Sequence, residues 1–315
     1  MIMDPGFQDI AEASGRIRSV IHRTPVFSSS AINRMLGATL FFKCENFQKA
    51  GAFKFRGASH AVITLDPTLR KKGVATHSSG NHAAALALAA AMHGIPAHIV
   101  MPENAPRIKK LAVAEYGARI YYCTPTLAAR EQTLEQVVRS TGAVFIHPYD
   151  NPRVIAGQGT AALELLEQMP TPGIVIAPVG GGGLLSGTAR TVKHLSPRTK
   201  VFGAEPAGAD DAARSFHSGK LLPSVDPQTI ADGLLTSLSR RTFSIIRQEV
   251  DDILTAREET IIRAMRMIWE RMKIIVEPSA ALPLAIVMEH PGKFKDRTVG
   301  IILSGGNVDL DHLPF

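Results

Sequence analysis

Between Gly73 and His147 short apolar runs alternate with longer helix-patterned stretches, and this alternation constrains the fold more than any other feature of the chain. Gly73–Thr76, Ala97–Met101, Arg119–Cys123 and Ala143–His147 read as strands. Ala83–His93, Arg107–Tyr116 and Ala128–Ser140 read as the helices between them, with Gly94, Pro96 and Gly117 as stops. Strands that alternate with helices pair in parallel through right-handed crossovers. Residues 74–147 are therefore expected to form a small α/β unit of four parallel strands.

A second α/β pattern follows. Ala156–Gln168 is helical, and Gly173–Val179 is a continuous apolar run of the kind buried on both faces. A glycine run, a helix toward Leu195, a strand over Lys200–Ala204, a helix over Glu258–Arg271 and a strand over Thr298–Leu303 complete it. The first 73 residues are assigned to this second unit, giving a large domain of residues 1–73 and 148–315 with residues 74–147 inserted. Sites in open α/β folds lie outside the carboxyl ends of strands. The polar loops at 78–82, 180–183 and 304–307 each follow such an end.

Composition removes several function classes. The 315 residues carry a net charge of +7, but the longest basic run is Arg70-Lys71-Lys72, and aromatic residues make up only 6%. Scattered charge without stacking platforms reads as solvated surface, so no nucleic-acid partner is expected. The most apolar stretch, Ala83–Met101, is broken by His93, Gly94 and Pro96, which argues against a membrane span. Cys44 and Cys123 fit neither a metal motif nor a disulfide framework. The opening Met1-Ile2-Met3-Asp4-Pro5-Gly6 has no basic start and no apolar core of a leader. A cytoplasmic location is expected.

Four segments carry chemistry. Gly180-Gly181-Gly182-Gly183 lies between a strand and a helix, where backbone N–H groups and the helix N-terminus suit a phosphate. It matches neither the dinucleotide fingerprint nor the P-loop, and a tight packing turn is the alternative. Lys54, between Phe53 and Phe55, becomes nucleophilic if buried; taken alone it reads as a lysine whose head reaches water. Thr76-His77-Ser78-Ser79-Gly80-Asn81-His82 gathers small donors ahead of a helix, suited to a carboxylate or to plain N-capping. Ser304 follows the last buried strand, as a contact to a ring nitrogen or as a cap.

Taken together these segments resemble the fold-type II pyridoxal-phosphate enzymes, the tryptophan synthase β-like fold, and within them the serine/threonine dehydratase and serine racemase family. The shared segments run in the family's order: His22-Arg23-Thr24-Pro25-Val26, Lys43-Cys44-Glu45-Asn46, Phe53-Lys54-Phe55-Arg56-Gly57-Ala58, Ser78-Ser79-Gly80-Asn81-His82, Ile155-Ala156-Gly157-Gln158-Gly159-Thr160, the four glycines, Glu277-Pro278-Ser279-Ala280 and Ser304-Gly305-Gly306-Asn307. The resemblance implies that Lys54 forms the Schiff base with pyridoxal 5'-phosphate and removes the substrate α-proton. It places Phe53 beside the cofactor ring, Asn81 on the ring hydroxyl, Gly180, Gly181, Gly182, Gly183 and Leu184 on the phosphate, and Ser304 at the pyridine nitrogen. Ser78, Ser79, Asn81 and His82 would hold the substrate carboxylate, and Ser79 matches the serine that exchanges a proton on the opposite face in racemases. The implied reaction is loss of water from a small β-hydroxy amino acid such as L-serine or L-threonine, giving a 2-oxo acid and ammonia.

Ala52 stands where most relatives carry serine, and the Ala-Phe-Lys-Phe form resembles relatives that dehydrate 3-hydroxyaspartate. Arg130, with His147 and Tyr149, would serve a second carboxylate. Glu205, Ala209 and Asp211 resemble the family's divalent cation site, for Mg²⁺, Ca²⁺ or Mn²⁺, with a solvated acidic loop as the alternative. The family also implies a homodimer. Racemase relatives bind ATP at a subunit interface, and no residue here is assigned to it. Only Val308–Phe315 follows Asn307, so no feedback by a branched-chain amino acid is expected. Cysteine-synthase-like replacement chemistry is disfavoured by His82 after Asn81, and a non-catalytic amino-acid-binding module is the reading from outside the enzymes.

Overall fold

The computed structural model describes residues 4–105 and 107–315; Met1–Met3 of the opening segment lie outside them. The ten strands are β1 (Val26–Phe27), β2 (Thr39–Cys44), β3 (Val74–His77), β4 (Ala97–Pro102), β5 (Arg119–Cys123), β6 (Val144–Phe145), β7 (Ile174–Pro178), β8 (Lys200–Pro206), β9 (Asp252–Ala256) and β10 (Thr298–Leu303). They form a six-stranded sheet in the order β1-β2-β10-β7-β8-β9 and a four-stranded sheet in the order β5-β4-β3-β6. Every pairing is parallel except β1 with β2. Every residue of β7 is buried, as its unbroken apolar run requires of a central strand. The fold is thus the α/β, two-sheet architecture expected, and no helix of the described residues is long and apolar enough to cross a membrane.

Several boundaries differ from the sequence expectation, β1, β2 and β9 have no counterpart in it, and two of the shifts have local reasons. The helix expected from Ala156 begins at Pro152, because Asn151 accepts the N–H groups of Arg153 and Val154 and proline suits the first helical position. The strand expected through His147 ends at Phe145. There the His147 Nδ1 takes the N–H groups of Asp150 (2.9 Å) and Tyr149 (3.3 Å) and turns the chain.

The helix Lys54–Ile63 lies between the two sheets' territories. Phe55, Ala58, Ala61 and Val62 share a buried cluster with Ala83–Ala87, Ile99 and Met101 from around the four-stranded sheet. Its polar anchor runs the other way. Arg56 is fully buried, bidentate to Glu45 (2.7 and 2.8 Å) and bonded to both oxygens of Glu164 (2.8 Å each). Lys43 completes the group, donating to Glu164 (2.6 Å), Gln168 (3.0 Å) and the Thr24 carbonyl (2.8 Å). Two cations meet two carboxylates, and every charge finds a partner away from water. The helix Pro152–Gln168 also crosses the helix Gly183–Leu195 closely enough that a Cβ on Gly187 would lie 2.6 Å from the Gly159 nitrogen.

Candidate active site

Parallel pairing puts the carboxyl ends of β2, β10, β7 and β8 along one edge of the large sheet, and the chemistry-bearing loops leave from that edge. The segment before Lys54 is zipped to the loop after β10. Phe53 N–H donates to the Ser304 carbonyl (3.0 Å), Gly306 N–H donates to the Gly51 carbonyl (2.9 Å), and Asn307 Nδ2 donates to the Ala50 carbonyl (2.8 Å). Asn307 also donates to Asn81 Oδ1 (3.0 Å), and Asn81 Nδ2 donates to both oxygens of Glu277 (2.9 and 3.1 Å). Lys54, Asn81 and Ser304 therefore meet in one bonded framework, although they belong to three distant segments.

Lys54 opens its helix, half-buried, with Nζ donating to the Pro148 carbonyl (3.0 Å) and lying 5.2 Å from the Phe53 ring centroid. Burial pushes its pKa from 10.5 down to about 8, and the Glu277 carboxylate opposes the shift. A cation at the positive end of a helix gains nothing from the helix dipole, which acts in the same direction as burial. Glu277, buried behind Asn81, has its own pKa raised to about 7 by desolvation and by Asp232. The sequence reading gave Glu277 and Asn307 no role. The visible signal was a carboxylate ahead of a helix-starting proline, which reads as an ordinary cap.

The glycine run forms the expected turn after β7, with Gly182 at φ +83°. A Cβ on Gly181 would overlap the Tyr149 ring, and one on Gly183 would lie 2.7 Å from Gln158 Oε1. Among the described residues no acceptor meets the N–H groups of Gly181, Gly182, Gly183 or Leu184. Free amides on a side-chain-free turn at a helix N-terminus fit a phosphate, and the amine of Lys54 fits an aldehyde; together they fit pyridoxal phosphate.

Ser78 and Ser79 lie half-buried in the bend after β3, and Ser78 Oγ accepts the Gly80 N–H (3.3 Å). His82 is buried, and its Nε2 meets the Ile146 carbonyl (3.2 Å), so the ring's one proton is used there. Burial keeps its pKa well below 6.5, leaving Nδ1 an acceptor; His82 can offer a carboxylate only its main-chain N–H. Lys109, reaching past Gly80, pairs with Asp232 and ties the two sheets' loops together at the rim. Arg130 is half-buried on the helix Leu127–Thr141, and its Nε is buried without an acceptor. His77, Phe145, His147 and Tyr149 pack in series, with ring centroids 4.5–6.4 Å apart. Desolvation lowers the His147 pKa to about 4, and its occupied Nδ1 places the proton on Nε2.

Glu205, at the end of β8, accepts the N–H groups of Ala212 (2.8 Å) and Ala213 (2.7 Å). Asp211 is equally buried, with both carboxylate oxygens unpartnered. Burial raises Glu205 to about 8 and Asp211 to about 6. Glu205 and Asp211 are thus buried carboxylates, although Ala207 and Gly208 of the loop between them are exposed. No group of three or more His, Cys, Asp or Glu side chains gathers for a metal among the described residues. Two carboxylates with a neighbouring carbonyl at Ala209 still form an oxygen-only donor set, which fits a hard cation.

A family model described as "Pyridoxal-phosphate dependent enzyme" matches residues 17–305. The chain belongs to the pyridoxal-phosphate dependent enzymes. It is 50% identical to a beta-hydroxyaspartate dehydratase of Paracoccus denitrificans, over 99% of both chains. It is also 50% identical to a serine racemase of Dictyostelium discoideum, whose crystal structure superposes with a TM-score of 0.93 over 97% of this chain and 99% of that one. A threonine deaminase from T.th. superposes equally well, at 46% identity, TM-score 0.93 and the same coverages. This pyridoxal-phosphate enzyme is thus similar over its whole length to lyases and racemases of hydroxy amino acids.

Proposed function

We propose that the protein eliminates water from a small β-hydroxy amino acid, releasing a 2-oxo acid and ammonia, with Lys54 as its base. The observation that carries the reading is Lys54: an amine brought to a pKa near 8 by its surroundings, on the same edge of the fold as a glycine turn whose N–H groups are free. Bound pyridoxal phosphate supplies the electron sink that acidifies the substrate Cα–H. Gly180–Leu184 would hold its phosphate, Phe53 would flank its ring, Asn81 would meet its hydroxyl and Ser304 its nitrogen. Lys54 Nζ, as free base, takes the Cα proton. Ser78 and Ser79, with the main-chain N–H groups opening the helix Asn81–Met92, would hold the carboxylate; by resemblance to racemases Ser79 would exchange the proton on the face opposite Lys54. Residues 1–73 with 148–315 serve as the cofactor domain and 74–147 as the inserted one, in a cytoplasmic homodimer with Mg²⁺ held by Glu205, Ala209 and Asp211.

A second reading, 3-hydroxyaspartate as substrate, is favoured by one set of groups. Arg130 keeps a buried guanidinium nitrogen free, and His147 is neutral with its proton on Nε2, so both are donors suited to a distal carboxylate. The test is 2-oxo acid release from L-serine, L-threonine and the 3-hydroxyaspartate stereoisomers with Mg²⁺ present. Release from 3-hydroxyaspartate alone selects the second reading. Release from serine or threonine selects the first, and no release from any of them rejects both.

A further inference from the structure

Gln158 is a buried side chain whose surroundings do not account for its polar end. It sits on the helix Pro152–Gln168 and is fully buried, yet neither its Nε2 nor its Oε1 has a partner among the described residues. A buried, unsatisfied carboxamide is costly, and methionine or leucine would fill the same volume without that cost. Its side chain runs between two helix N-termini. Its Cγ lies 3.1 Å from where a Cβ on Gly57 would stand, in the first turns of the Lys54 helix. Its amide end lies 2.7 Å from where a Cβ on Gly183 would stand, at the start of the helix Gly183–Leu195. The oxygen and nitrogen of a carboxamide exchange places by a half-turn with no change in shape. The position now held by Oε1 can equally present the NH₂ group.

We infer that the Gln158 carboxamide is the side-chain donor of the phosphate cradle, completing a set otherwise made of backbone N–H groups. The inference rests on the reading of Gly180–Leu184 as that cradle. A neutral donor suits the place. It bonds the phosphate oxygens without adding a fixed positive charge, so the anion's protonation remains free to change during turnover. Ser186 and Thr188 also carry buried hydroxyls without partners. A helical hydroxyl can turn to the carbonyl four residues back, a recourse that Gln158 lacks.

The test compares pyridoxal phosphate with pyridoxal, which lacks the phosphate, as ligands of the full chain stripped of cofactor. Binding is followed by absorbance for wild type, Gln158→Met and Gln158→Glu. The ³¹P resonance of each holoenzyme is the second readout. A hydrogen bond to a charged group corresponds to roughly a 10- to 100-fold loss of pyridoxal phosphate affinity in Gln158→Met, with pyridoxal affinity unchanged and the ³¹P signal moved. Gln158→Glu keeps the shape and brings an acceptor, so it loses at least as much, and more as pH rises. Equal loss for both ligands would make Gln158 a packing residue and overturn the inference, as would unchanged phosphate preference in both variants. A wild type that binds the two ligands alike would overturn the cradle reading itself, and the inference with it.

Discussion

Lys54 and Arg56 stand two residues apart in the first turn of one helix, and the protein treats their charges in opposite ways. Arg56 is buried and surrounded by carboxylate: four bonds to Glu45 and Glu164 hold its pKa above its ordinary value. Lys54 receives one carbonyl, from Pro148, with the Glu277 carboxylate as its one opposing charge, and its pKa falls to about 8. The matched cation fixes the helix in place; the unmatched one is left reactive. A site of this kind needs both, because an amine with a depressed pKa is useful only where the backbone beneath it cannot shift.

The largest expected effect separates the two roles. Lys54→Ala should lower 2-oxo acid release by at least about 10³-fold and abolish the bound-cofactor absorbance without lowering the melting temperature of the cofactor-free chain, since it removes a desolvated cation. Full activity in that variant would end the assignment. Arg56→Met should do the reverse, costing about 3–5 kcal/mol of stability in urea unfolding because Glu45 and Glu164 are left buried without a counter-charge. If Arg56→Met unfolds at the wild-type midpoint, the network is not what anchors the helix.

A smaller effect sharpens the contrast through pH. The folded pKa of Lys54, about 8, lies below its ordinary 10.5, so the amine's contribution to stability grows as pH rises from about 8 to about 10.5. Its reaction with added pyridoxal phosphate should follow the free base, with a rate midpoint near pH 8. Glu277→Gln removes the charge that opposes the shift and should move that midpoint lower; a midpoint that stays put would remove Glu277 from the site's electrostatics. The smallest effect concerns the carboxylates near β8. Glu205 and Asp211 have raised pKa values, so the folded state binds more protons than the unfolded one, and stability without a cation falls as pH rises through about 4 to 8. Added Mg²⁺ should raise the melting temperature by a few degrees, more at about pH 8 than at about pH 6, and Asp211→Asn should erase the gain. A gain that survives in Asp211→Asn would place the cation elsewhere.

The glycine run and the loops after β3 and β10 were legible as candidates because each is contiguous and follows a strand whose apolar run marks it, whereas Lys54 taken alone reads as a lysine whose head reaches water and stands out only through the family resemblance. Their convergence was legible too, since parallel strands present their carboxyl ends together. The contacts of His82 were not. The resemblance implies a place for it on the substrate carboxylate; the Ile146 carbonyl, brought beside it by the pairing of β6 with β3, uses the ring's proton and leaves the main-chain N–H for that role. Glu277 stands in the sequence only as part of a shared segment with no role, and only its burial against Asn81 shows a carboxylate with a pKa near 7.

By itself the sequence determined the order of strands and helices over residues 73–204, the two α/β patterns and the loops that carry the chemistry, because hydrophobic period and turn residues act over a few neighbours; β1, β2 and β9 were not read from it. The tertiary structure decided which charges are matched. Arg56 finds Glu164 across 108 residues, Asn81 finds Glu277 across 196, and Asn307 finds the Ala50 carbonyl across 257. A pKa depends on who else is buried nearby, and no local pattern specifies that neighbour.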